Sequence, residues 1–295
     1  MPDGAERQRS PASPYPETVT HRSPNEPATA AEHLQEATRV QVERGPRQSA
    51  GRDGVLLAVA RVLRRLSEEI AIIGARNTVK AFVAERPSVE DAMAFAYGFQ
   101  LAGFEAGIQP SQIPSEIEAL LRRLDAARPR AVLEIGTGRG GTLFLLASTA
   151  TDDALFVSID LPEGAFGGGY RVRRGKLYRA FARRGQRIAL LRRDSHDLET
   201  VRLVRRLLAG RPVDLLFIDG DHTYEGVRRD YASYSPLVRP GGLVAIHDIL
   251  PGNHEDVGGV PRFWQELKET ADVEELVGNW KQGGFGIGLL TRPAS

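Results

Sequence analysis

The stretch Val132-Leu-Glu-Ile-Gly136-Thr-Gly138-Arg-Gly140-Gly141, followed by the apolar run Leu143–Ala147, decides the fold. A short apolar strand that enters a glycine cluster and then a helix opens a nucleotide-binding α/β unit. The glycines let the chain turn tightly, approach a ligand closely and present amides at a helix N-terminus. Outward from this unit, apolar runs recur at Ala154–Ile159, Ile188–Leu191, Val213–Ile218 and Leu243–Ile246. They are continuous rather than alternating, as parallel strands covered on both faces require. Helical segments separate them, for example one carrying Tyr224, Val227, Tyr231, Tyr234 and Leu237. The pattern predicts a doubly wound α/β sheet. Glu274–Trp280 and Phe285–Thr291 flank Lys281-Gln-Gly-Gly284 and read as an antiparallel hairpin that closes it.

The glycine cluster alone does not choose a ligand, since Gly136, Gly138 and Gly141 also satisfy the dinucleotide spacing G-x-G-x-x-G. Asp160, at the end of the second strand, suits the ribose of either ligand class. Three features favour S-adenosylmethionine over NAD. Glu134, two residues before the first glycine, suits an ammonium group and is adverse to a pyrophosphate. Asp194 and Ser195, after the third strand, are placed to receive an adenine amino group. The terminal hairpin replaces the further parallel strand of a dinucleotide fold. The expected cofactor-binding residues are Glu134, Gly136, Thr137, Gly138, Gly140, Asp160, Asp194, Ser195 and Asp219.

Glu134-Ile-Gly-Thr-Gly138, Asp194-Ser-His-Asp197, Phe217-Ile-Asp-Gly-Asp-His-Thr-Tyr-Glu-Gly226, Pro240-Gly-Gly242 and His247-Asp248 resemble class I S-adenosylmethionine-dependent methyltransferases. More narrowly, they are similar to the cephalosporin-hydroxylase-like and rhamnosyl O-methyltransferase group, over about residues 110–295. The resemblance implies a Rossmann-like seven-stranded sheet of order 3-2-1-4-5-7-6 with strand 7 antiparallel. It also implies a cofactor lying over the ends of strands 1, 2 and 4.

Methyl transfer to a hydroxyl needs the oxygen held in line and its proton removed. The fourth strand delivers Asp219 and, three residues on, His222; the fifth ends in His247-Asp248. Ends of neighbouring strands lie about 4.8 Å apart, so Asp219, His247 and Asp248 can share a divalent metal, magnesium or manganese. His222 is the expected base, with Asp219 and His247 as further catalytic residues. Metal-dependent relatives are expected to carry an acidic pair at the end of strand 5, and His247 departs from that pattern. His247 is therefore also an alternative base for a site without metal. Asp221 is expected to converge on this cluster, whereas His196 and His254 read as loop histidines.

Gly164–Tyr170 reads as a flap, followed by a basic stretch from Arg171 to Arg184 that reads as a solvated helix face. Residues 1–50 lack apolar periodicity and are expected to be a disordered tail. Residues 51–110 read as a helical cap packed on the main domain, or a dimerisation segment, with Val55, Val59, Val62, Leu66, Ile70 and Ile73 on one face. Phe263 and Trp264 are the aromatics of a helix expected to pack onto the sheet. Residues 111–295 form the expected methyltransferase domain, whose helix is expected to open with Ser115 as N-cap.

The 295-residue chain has a formal net charge of +1 and no cysteine. Near-neutrality argues against nucleic acid as partner, and no apolar run spans a bilayer. The absence of cysteine and of an apolar leader fits a reducing cytoplasm. The reading is an O-methyltransferase acting on a hydroxylated small molecule, a natural product or sugar, with a homo-oligomer as a further expectation. The alternatives are a methyltransferase fold repurposed for other chemistry or binding, and an NAD-dependent oxidoreductase.

Overall fold

The computed structural model describes residues 50–100, 107–164 and 168–293. The expected tail, the end of the second helical stretch at 101–106 and the centre of the flap at 165–167 lie outside them. The chain divides at Val59 into two units. Of the first, only the opening turns of helix α1 (Ala50–Ala84) are described. The second begins within α1 and carries the whole sheet.

After α1 come α2 (Val89–Gly98), α3 (Pro114–Ala127), β1 (Ala131–Ile135), α4 (Gly141–Thr149) and β2 (Leu155–Asp160). A short helical segment that includes α5 (Gly175–Tyr178) leads to β3 (Arg187–Arg192), α6 (Leu198–Leu208), β4 (Val213–Ile218), α7 (Tyr224–Tyr234) and β5 (Val238–His247). The chain closes with α8 (His254–Val257), α9 (Val260–Lys268), β6 (Val273–Leu276) and β7 (Ile287–Thr291). The seven strands take the order β3-β2-β1-β4-β5-β7-β6. β1 to β5 run parallel, and β7 runs antiparallel to both β5 and β6. The expected Rossmann-like sheet is thus present, with terminal strands shorter than the sequence suggests.

Every residue of β1 and β2 is buried, which explains why these strands read as unbroken apolar runs. One core lies on the face covered by α2, α3 and α4, with Phe144, Leu120 and Phe156 at its centre. The other lies under α6, α7 and α9, and there Phe263 and Trp264 are buried, as the packing reading expects.

Three expectations are corrected. Helix α3 has Ile113, not Ser115, as its N-cap, because Pro114 occupies the first helical position with its φ already set. The apolar face of α1 does not pack as a cap along its length. Val59, Val62, Leu66, Ile70 and Ile73 are each about half exposed or more, and among the residues of α1 whose burial is described only Ala75, Val79 and Val83 are buried. The basic stretch is not a free solvated face. Arg173 pairs with Glu68 at 2.7 Å and Lys176 with Glu69 at 3.5 Å. Buried Arg183 donates to the carbonyls of Ala147, Ser148 and Ala150, closing the end of α4.

Glu116, in the first turn of α3, is buried and holds the connection between β6 and β7. Its carboxylate accepts from the Gly278 and Gly286 amides at 3.0 and 2.9 Å and from Gln282 Nε2 at 2.7 Å. Removing it strands three donors, so Glu116→Ala is expected to lower stability by about 3 kcal/mol. Denaturant unfolding measures this, and Glu116→Gln should lose less.

Candidate active site

The carboxyl ends of β1, β2, β4 and β5 meet at one edge of the sheet. Register aligns Ile135 with Ile159 and Ile218, and Ile218 with Ile246, so the next residues of each strand converge. Gly136, at φ +94°, turns the chain there; a Cβ on it would lie 1.8 Å from the Asp219 carbonyl oxygen. Gly140 presses on the Tyr178 ring and Gly141 on the backbone of Ile108 to Pro110. The glycine loop is therefore wedged between β4, α5 and the segment before α3.

Glu134 is wholly buried beneath this loop. Ser158 Oγ donates to its Oε2 at 2.5 Å, and Thr137 Oγ1 lies 2.5 Å from Ser158 Oγ. Its other oxygen, Oε1, has no hydrogen-bond partner among the described residues. Burial pushes the Glu134 carboxyl up to about 8, against the lowering effect of the Ser158 hydrogen bond. Asp160 accepts from the Gly138 amide at 3.0 Å and the Gly169 amide at 2.9 Å, tying the glycine loop to the end of the flap. Burial raises its pKa as well. Ser195 is buried, while Asp194 accepts from the His196 amide. His196 lies in a loop as expected, with Nε2 3.3 Å from buried Asp230.

Four side chains meet at the ends of β4 and β5. Asp219 Oδ1 lies 3.2 Å from His247 Nδ1 and 3.4 Å from His222 Nε2. Asp248 Oδ2 lies 3.2 Å from His247 Nδ1 and 3.5 Å from His222 Nδ1. Each histidine thus faces both carboxylates. Asp248 reaches the cluster because its backbone takes φ +61°, in the left-handed region that L side chains rarely adopt. His222 is pinned from behind: its ring meets the Asp256 carbonyl, and the Gly259 amide donates to its own carbonyl at 2.7 Å. A Cβ on Gly258 would lie 2.1 Å from the His222 carbonyl oxygen, so the Gly258-Gly259 pair allows this approach.

Desolvation opposes charge on both rings, but the Asp219 and Asp248 carboxylates outweigh it. His222 is raised to about 9 and His247 to about 10. Asp219 is partly buried, and desolvation disfavours its charge, yet the two histidines hold its pKa well below the ordinary value.

Asp221 does not join the cluster. It accepts from the Thr223 amide at 2.9 Å and caps the turn into α7. Sequence reasoning missed Gln112 and Tyr178. Gln112 donates to Asp219 Oδ2 at 2.8 Å and accepts from Thr142 Oγ1 at 2.8 Å. Tyr178 donates to the Gly138 carbonyl at 2.9 Å. Gln112 stands 107 residues from Asp219 in an irregular segment, so no spacing signals it. His254 is not a loop histidine: it opens the short helix α8, and its side chain lies outside the described residues.

A methyltransferase-domain family matches residues 133–249, the span from β1 to the end of the four-residue cluster. A putative O-methyltransferase of Mycobacterium sp. (strain JLS) is 31% identical over 176 residues, covering 57% of this chain and 70% of that protein. The mycinamicin VI 2''-O-methyltransferase of Micromonospora griseorubida is 31% identical over 105 residues, 35% of this chain and 22% of that protein. An uncharacterised protein of Sinorhizobium fredii is matched over 15% of its length. Among solved structures, the O-methyltransferase TomG from Streptomyces achromogenes, in complex with S-adenosylmethionine, aligns over 70% of this chain and 89% of its own. Its TM-score is 0.46 at 20% identity. With this fold, glycine loop and strand-end cluster, the chain belongs to the class I S-adenosylmethionine-dependent O-methyltransferase family.

Proposed function

We propose that the protein transfers the methyl group of S-adenosylmethionine to a hydroxyl of a small molecule, a natural product or sugar. The convergence of Asp219, His222, His247 and Asp248 beside the glycine loop carries this reading. The similarity to an enzyme named for O-methylation of mycinamicin VI supports the acceptor class.

The cofactor supplies the electrophilic methyl group. Glu134 Oε1, unpartnered among the described residues, suits its ammonium group, and Asp160 its ribose. Asp194 and Ser195 stand at the adenine end. A buried carboxylate below the loop is adverse to a pyrophosphate, which disfavours NAD.

The donor set at the chemical end fits a divalent metal. Asp219, His247 and Asp248 offer ligand atoms within 4.8 Å of one another, and two carboxylates with an imidazole suit manganese as well as magnesium. Bound there, the ion would polarise the acceptor hydroxyl. His222 serves as the base that takes the hydroxyl proton. Without a cation both histidines keep their own protons, because the two carboxylates demand positive charge. Metal and histidine protons therefore compete for Asp219 and Asp248.

Titrating Mn²⁺ into the protein at pH 7.5 is expected to release about one to two protons per ion. Calorimetry in buffers of different ionisation enthalpy measures this. Asp219→Ala should abolish the binding. Absence of Mn²⁺ and Mg²⁺ binding at millimolar concentration would leave His222 or His247 as base without metal.

A further inference from the structure

Along the first two-thirds of α1, from Leu57 to Ile70, the large apolar side chains whose burial is described are exposed. Read in sevens, Leu56, Leu63, Ile70 and Asn77 fall at one repeating position and Val59, Leu66 and Ile73 at the other. This alternation of three and four over three heptads is the seam of a coiled coil, and a single polar Asn at the first position sets register in such pairs. Leu63, Leu66, Ile70 and Ile73 are 50–70% exposed, and Asn77 is exposed too.

The opposite side of the helix is already used. Ala75 and Val79 are buried and Ile72 packs against the same core. Glu68 faces Arg171 and Arg173. The helix therefore has two apolar faces, and its own domain covers one. From Leu57 to Leu66 every residue whose burial is described is exposed, and a helix owes most of its stability to packing of an apolar face.

We propose that two copies of the chain pair through this seam as a parallel, in-register coiled coil. The seam is self-complementary, which suits a two-fold contact. Residues 1–49 of the same chain are a poor alternative occupant: Val19, Leu34, Val40 and Val42 are their only large aliphatic residues apart from Met1, and they follow no heptad. Flanking positions hold Ala60, Val62, Ser67, Glu69, Gly74 and Arg76, and in a parallel register no like charges face each other there.

Sedimentation of the full chain at micromolar concentration is expected to give twice the 32.3 kDa chain mass. The double variant Leu63→Glu, Ile70→Glu should halve that mass. Both side chains are exposed in the single chain, so its circular dichroism and melting of the sheet domain should persist. Since the chain contains no cysteine, Leu63→Cys, Ile70→Cys and Asn77→Cys each provide a single thiol. Each should form a disulfide with its own copy on mild oxidation. A wild-type monomer, or a dimer whose mass survives the double glutamate variant, overturns the proposal. Self-cross-linking at fewer than all three positions overturns the parallel register.

Discussion

Glu134→Gln is expected to weaken S-adenosylmethionine binding about 100-fold or more while making the unliganded protein more stable at pH 8. The first effect follows from removing the buried charge that would face the cofactor ammonium; losing one member of such a pair costs about 2–5 kcal/mol. The second follows from the sign of the pKa shift. Burial raises the Glu134 carboxyl from 4.5 to about 8, so the folded chain holds this proton more tightly than the unfolded chain. Its contribution to stability is complete below about pH 4.5 and is lost as pH rises to 8. Glutamine has no proton to lose, and at pH 8 the variant should be more stable by on the order of 3 kcal/mol. Thermal melting across pH 5–9 without ligand reads this, and calorimetry with S-adenosylmethionine reads the first effect. Wild-type affinity should climb with pH towards 8, whereas that of the variant should not. Equal affinity of the two proteins would remove Glu134 from the cofactor site.

Asp219→Asn is expected to reduce methyl transfer by about 10³-fold, within the range for loss of general-base function. Among the described residues, Asp219 is the one that touches His222, His247 and Gln112 together, so the substitution loosens the whole cluster. The variant should also shift the acid limb of its residual activity to lower pH. Desolvation opposes the charge on His222, and its rise to about 9 rests on Asp219 first and Asp248 second. With Asp219 neutral, His222 gives up its proton at a lower pH. Hydroxylated glycosides and phenols, screened for S-adenosylhomocysteine release, provide the assay. Unchanged turnover in the variant would sink the proposed chemistry.

The centre of the sheet was legible because β1, β2 and β4 are buried on both faces and therefore read as nearly continuous apolar runs. The glycine loop and Asp219, His222, His247 and Asp248 were legible because they follow those runs directly, and the strands deliver them to one edge. Gln112 was not, since it reaches Asp219 from a coil far away in sequence. Asp221 shares the strand end with Asp219 but faces the turn instead, a difference of side-chain direction that spacing does not encode. Helix α1 misled for another reason. Its apolar residues form two faces, and periodicity alone does not tell which of them the domain covers. The cap of α3 was missed because Pro114 starts that helix without help from a side chain.

The left-handed backbone at Asp248 sets an evolutionary cost on the cluster. A glycine there would adopt the same turn without steric penalty, and would remove a buried acid. A library of variants selected for heat resistance alone should therefore drift towards glycine at position 248, discarding the carboxylate that completes the cluster. Persistence of aspartate in a backbone that disfavours it would be a signature of selection for chemistry over durability.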